Sequence, residues 1–113
     1  LKGFGLMVYG RNFGKVDLTQ INLLEKGLKK LNIPFETEEL FGGKHICYPN
    51  TKEVTCSVIC HSFSYGHEEG LLEIMGLLTE EEKIEDDVVG FLTAKDVLTR
   101  IFSDYADEFL KEE

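Results

Sequence analysis

The chain reads as one α+β domain. The expected order is a β-α-β-β-β antiparallel meander, packed by an N-terminal helix and followed by two to three C-terminal helices. Three observations carry that reading. Short strand-like runs separated by turn signals fill residues 35–61. An amphipathic stripe runs from Leu18 to Leu31. Two helix-start signatures recur at Thr79 and Thr93. A length of 113 residues gives one core and no room for two. Residues 1–61 form the β-α-β-β-β half and residues 67–113 the helical half of this single domain, 1–113.

Phe4–Tyr9 (FGLMVY) is apolar and bounded by glycines, which predicts a buried strand, with a loop from Gly10 to Lys15. Gly3, Gly5, Gly10 and Gly14 lack the order of a dinucleotide fingerprint. Asp17 and Gln20 have the spacing of a capping box, and Val16 and Ile21 that of a hydrophobic staple. Leu18, Ile21, Leu24 (or Leu23), Leu28 and Leu31 then share one helical stripe. Lys26, Lys29 and Lys30 sit near the carboxyl end, where the helix dipole favours cations.

Asn32 suits a left-handed terminus and Pro34 forbids continuation. Phe35–Leu40 alternates as a strand, and Phe41-Gly42-Gly43-Lys44 marks a tight turn. His45–Tyr48 is the return strand, and Glu53–His61 supplies the third run of the meander. Glu68–Met75 reads as a helix, with Leu71, Leu72 and Met75 together and Gly76 as its stop. The segments from Gly76 to Glu82 and from Gly90 to Asp96 share Gly-apolar-Leu-Thr-x-x-acid, and Thr79/Glu82 and Thr93/Asp96 form capping boxes. A last helix over about 94–110 turns Val97, Leu98, Ile101, Phe102, Tyr105 and Phe109 inward.

Charge speaks against one class of partner. Twelve basic residues face twenty-one acidic ones, a net charge of −9. Nucleic acid is a poor partner for such a chain, because phosphate binding needs Lys and Arg. The acids at Glu80–Glu82, Glu85–Asp87, Asp104, Asp107, Glu108, Glu112 and Glu113 read first as solvated faces, and second as a surface for a basic partner. No apolar run approaches the ~18 residues that span a bilayer, and no leader opens the sequence, so a cytoplasmic protein without a membrane partner is expected. Three cysteines make an odd count, which predicts reduced and largely buried thiols.

Chemistry-bearing residues gather between Thr55 and Gly76. Cys47, Cys56, Cys60, His61 and His67 are zinc-type ligands, but Cys56 and Cys60 stand ~13 Å apart on an extended strand, too far for one ion. A metal site from His61 and His67, with Glu68, is the remaining arrangement. No cofactor is called for. The loop His61–Glu69 offers a base, hydroxyls, a phenol and carboxylates, making His61, Tyr65, His67 and Glu68 the catalytic candidates. It spells no nucleophile elbow, zincin helix or Walker loop. Phe63 and Tyr65 are the candidate anchors for a protein partner. The free sheet edge can take a partner strand or a second copy of the chain.

Gly43-Lys44 with Tyr48-Pro49, CSVICHSFSYGHEEGLLEIMGLLTEEE (Cys56–Glu82) and VVGFLTAKDVLTRI (Val88–Ile101) resemble small proteins of phages and prophages of Gram-positive bacteria. The resemblance covers about two thirds of the chain. It implies a bacterial cytoplasm, and it brings no activity, ligand or catalytic residue with it. The reading is a non-catalytic binding module acting on a host or phage protein. The alternative is a small enzyme or metal-binding protein using the His61–Glu69 loop. If that loop is only structural, His61→Ala and His67→Ala should each cost under ~1.5 kcal/mol.

Overall fold

A computed structural model describes residues 15–111. The element order is α1 (Thr19–Lys30), β1 (Glu36–Leu40), β2 (Gly43–Pro49), β3 (Val54–Cys60), a 3-10 turn (His67–Glu69), β4 (Leu72–Met75), α2 (Glu80–Glu85), β5 (Val88–Leu92) and α3 (Ala94–Lys111). The expected strand at residues 4–9 lies outside the described residues.

All five strands join in one antiparallel sheet in chain order, β1-β2-β3-β4-β5. The α+β reading holds, with the meander extended from three strands to five. The hairpin β1–β2 closes through Phe41 (φ 48°) and Gly42 (φ 78°), both left-handed, as a two-residue turn compatible with strand twist requires.

Helices α1 and α3 cover one face. Ile21, Leu24 and Leu28 of α1 and Val97 and Ile101 of α3 are fully buried with Ile46, Val58, Leu72 and Ile74 of the sheet. Leu98 lies directly over Gly27, where even a Cβ would be crowded. Leu31, at the end of the expected stripe, is exposed, as are Leu23 and, on the side of α3 expected to face inward, Phe102 and Phe109.

Two element assignments are corrected. Glu68–Met75 is not a helix: one 3-10 turn ends at Gly70 (φ 73°), and Leu72–Met75 continues as β4. Leu72 and Ile74 are buried while Glu73 and Met75 face the other way, a period of two. Over so short an apolar run, helical and extended spacing cannot be told apart without the neighbouring strand. Val88–Leu92, expected to lie in the helical half, is β5, with register Leu72↔Leu92, Ile74↔Val89 and Met75↔Val88. The helical half therefore holds two strands, and Gly76 (φ 95°) ends a strand rather than a helix.

The capping signatures behave as expected at α2 and α3. Thr79 Oγ1 accepts from Glu82 N–H (3.1 Å) while Glu82 Oε1 accepts from Thr79 N–H (2.8 Å). Thr93 and Asp96 exchange the same pair at 3.2 and 3.1 Å. The Asp17/Gln20 box does not close. Asp17 Oδ1 accepts from Thr19 N–H (2.9 Å), but Gln20 Oε1 reaches across to Ala94 N–H (2.7 Å) and serves the start of α3 instead. Among the described residues, no helix is long and apolar enough to cross a membrane.

Candidate functional site

The loop from His61 to Gly70 leaves the end of β3 and folds back on itself. His61 N–H donates to Ser64 Oγ (3.0 Å), and Ser64 Oγ donates to His61 O (3.0 Å). The His61 ring is buried edge-on against Phe41 (5.3 Å between centroids) and Phe63 (6.2 Å), and its Nδ1 accepts from Phe63 N–H (3.1 Å). Burial lowers its pKa, so the imidazole is neutral in the fold. His67 Nδ1 donates to Ser64 O (2.6 Å). Glu68 and Glu69 are exposed on the 3-10 turn.

Both imidazoles are thus engaged, one edge-on in an aromatic cluster with Phe41 and Phe63 and one tied to Ser64. Among the described residues no group of three His, Cys, Asp or Glu stands where it could hold a metal ion. All three thiols are free and buried. Burial is the main cause that raises each: Cys56 to about 12, and Cys47 and Cys60 in the same direction. They are protonated thiols packed in the fold, unsuited to nucleophilic or ligand roles at neutral pH.

Burial changes the expectation for the loop histidines. His61→Ala removes a ring packed against two others and the Nδ1 acceptor of the Phe63 N–H, worth about 1–3 kcal/mol together. His67→Ala removes one bond at a half-exposed position and should cost under ~1.5 kcal/mol. The folded pKa of His61 lies below its unfolded value. Its contribution is therefore full above the unfolded pKa of about 6.5 and is lost as pH falls through the folded one. Thermal melts of the wild type and His61→Gln at pH 7 and pH 5 check this: the wild type should lose more on acidification. An equal loss would show that His61 is already solvated.

The anchors expected at Phe63 and Tyr65 are on the surface, 67% and 57% exposed. Two further aromatics that the sequence reading did not select join them, Phe41 (43%) and Phe91 (61%). Phe41 and Phe63 meet edge to face at 5.2 Å. Phe91 N–H donates to Tyr65 O (3.4 Å), and Tyr65 N–H donates to Glu73 Oε1 (2.8 Å). Gly90 makes this seat possible, because a Cβ there would collide with Tyr65. The result is an aromatic end to the sheet, built from the β1–β2 turn, the Ser62–Gly66 loop and β5.

Phe41 and Phe91 share an unusual backbone. Their φ angles are 48° and 61°, where a residue with a Cβ costs roughly 1–2 kcal/mol and Gly or Asn would be the ordinary choice. Phe in the first position of a Phe-Gly turn was the visible sequence signal for one of the two. Phe91 had none, since its conformation arises at the register shift between β4 and β5.

A second constellation emerges on the sheet face turned away from the helices. Glu38 Oε1 accepts from His45 Nδ1–H (2.9 Å), and His45 Nε2 lies 2.7 Å from Ser57 Oγ, in position to accept its proton. Cys47 Sγ is 3.3 Å from the same nitrogen. Carboxylate–imidazole–hydroxyl is the order of an acyl-transfer relay, yet such a relay works only beside a cleft that seats a carbonyl and holds its oxyanion. Among the described residues, the open clefts lined by Asn50 and Thr51, by Leu77 and Arg100, by Leu31 and Phe102, by Met75 and Gly76 and by Tyr48 and Asp104 have none of His45, Ser57, His61 or His67 in their walls. Glu38 and His45 are directly opposite by register, Ser57 is opposite Cys47 and so diagonal to His45, and these side chains form a polar ladder.

No family model, curated protein or solved structure matches the chain.

Proposed function

We propose that the chain is a protein-binding module, of phage or prophage type and acting in the bacterial cytoplasm on a host or phage protein, with the aromatic end as its recognition surface. One observation carries this: Phe91 is held in a left-handed backbone and left largely exposed. A residue that neither relaxes the backbone nor fills the core is retained for something outside the fold. Exposed aromatics gathered in one place are the usual anchors of a protein interface. The bonds within the His61–Glu69 loop, which tie up both imidazoles, weigh against the enzyme and metal alternatives. Self-association, on the same reading, falls to the β5 edge, since β1 presents Glu36, Glu38 and Glu39 to solvent and β5 carries no charge.

Phe91→Gly separates function from fold. Relieving the left-handed strain should leave stability unchanged or raise it by about 1 kcal/mol. A photo-crosslinking residue at position 65 should trap a discrete partner in host cells, and Phe91→Gly should abolish that product. A crosslink that persists in Phe91→Gly, or a destabilisation above about 1 kcal/mol, would make Phe91 a packing residue and remove the reason for the proposal.

A further inference from the structure

Resting on that reading, we infer that the segment docking on the aromatic end is basic and amphipathic, with apolar side chains for the rings and Lys or Arg for a surrounding fence of carboxylates. Acidic side chains lie next to the rings. Glu73 lies under Tyr65 and accepts its N–H. Glu68 and Glu69 follow Gly66 by two and three residues and are exposed. Glu38 lies on the same sheet face as Glu73 by register through His45 and Ile59, exposed but already paired with His45 Nδ1 (2.9 Å).

Among the described residues no ion pair joins Glu68, Glu69 or Glu73 to a Lys or Arg. Lys44, just beyond the β1–β2 turn, is held on the helix side by Asn22 Oδ1 (2.8 Å) and Glu25 Oε1 (2.7 Å). His61 is neutral in its aromatic pocket.

Charge selects among the occupants an apolar patch could have. A second copy seated on the rings would set its own carboxylates against Glu68, Glu69 and Glu73, and like charges facing each other oppose that contact. Anionic lipid headgroups and nucleic acid are disfavoured for the same reason. A basic protein segment is drawn in by the field and anchored by the rings. An amphipathic helix supplies both, presenting apolar residues at i, i+3, i+4 and i+7 with cations on its flanks.

The test is a heteronuclear NMR titration of the full chain with two synthetic 18-residue amphipathic helices sharing one apolar face, one of Leu and Lys, the other of Leu and Glu. The Leu/Lys peptide should shift the amides of Tyr65, Gly66, Gly90 and Phe91. Its Kd should weaken about tenfold or more in Phe91→Gly, the loss of a central anchor. The combined variant Glu68→Gln, Glu69→Gln, Glu73→Gln keeps the acceptor for Tyr65 N–H and should weaken binding about three- to tenfold, with a flatter salt dependence. The Leu/Glu peptide should not bind.

Equal binding of both peptides at Tyr65 and Phe91 would overturn the basic partner while leaving the aromatic docking surface standing. Shifts confined to the acids of α3 and indifferent to Phe91→Gly, or no binding by either peptide, would overturn both.

Discussion

Replacing Ile101 with alanine is expected to lower the unfolding free energy by about 2–5 kcal/mol, with a fall in Tm on the order of 10–20 °C. Ile101 is fully buried on the inner side of α3, in the cluster that joins α1 to the sheet through Ile21, Leu24, Leu28, Leu72 and Ile74. Truncation removes three carbons from a site walled by two helices and a sheet, so collapse around the hole is limited. Leu72→Ala should fall in the same range, because Leu72 is fully buried on the central side of β4. The neighbouring residue provides the control. Phe102 is 49% exposed, and Phe102→Ala should cost clearly less than Ile101→Ala despite removing a larger side chain. Chemical denaturation of the three variants decides it, and a larger loss from Phe102→Ala would mean that α3 presents its other face to the sheet.

Much of this core was readable because its signals are local. The period of Ile21, Leu24 and Leu28, the Asn32–Pro34 stop and the Phe41-Gly42 turn lie within a few residues of what they specify. The Thr79/Glu82 and Thr93/Asp96 caps are local in the same sense. Leu72–Met75 and Val88–Leu92 were not readable, since four or five apolar residues become strands by pairing with each other.

The site divides in the same way. Phe63 and Tyr65 could be chosen from residue type and loop context. Phe91 could not, because its exposure follows from a register shift. The Glu38–His45–Ser57 ladder required the pairing of three strands before any of its members stood out. Gln20 shows the limit from the other side: its spacing to Asp17 is that of a cap, and the tertiary fold gave its side chain to a different helix.

Arg100→Gln is the second large effect expected, about 2–3 kcal/mol at neutral pH, and its size should depend on pH in one direction. Arg100 Nη1 donates to Glu82 Oε1 and Nη2 to Glu82 Oε2, both at 2.8 Å, and Nη1 also donates to Leu77 O at 2.9 Å. One guanidinium therefore fastens α3 to the first turn of α2 and to the left-handed Leu77 (φ 59°). Both side chains are about three-quarters buried, so the bidentate pair is less screened than an exposed one. Glutamine leaves the carboxylate with only the Thr79 N–H and the carbonyl with no cation.

The Arg100 bond, followed by the Thr79 N–H, pulls the Glu82 carboxyl down to about 2, against about 4.3 when unfolded. Between those values the unfolded chain binds more protons than the folded one, so the pair's contribution is full above about pH 5 and drains away as pH falls toward 2. The penalty of Arg100→Gln should accordingly be largest at pH 7 and shrink steadily through pH 4 to pH 2.5. Asp96 also feels the Arg100 charge, as a minor cause of its lowered pKa, so the difference between the two stability curves reports chiefly Glu82 with a smaller share from Asp96. A penalty that stays constant with pH would assign the loss to Leu77 O and to packing, and would show that the Glu82 charge contributes little to holding α2 against α3.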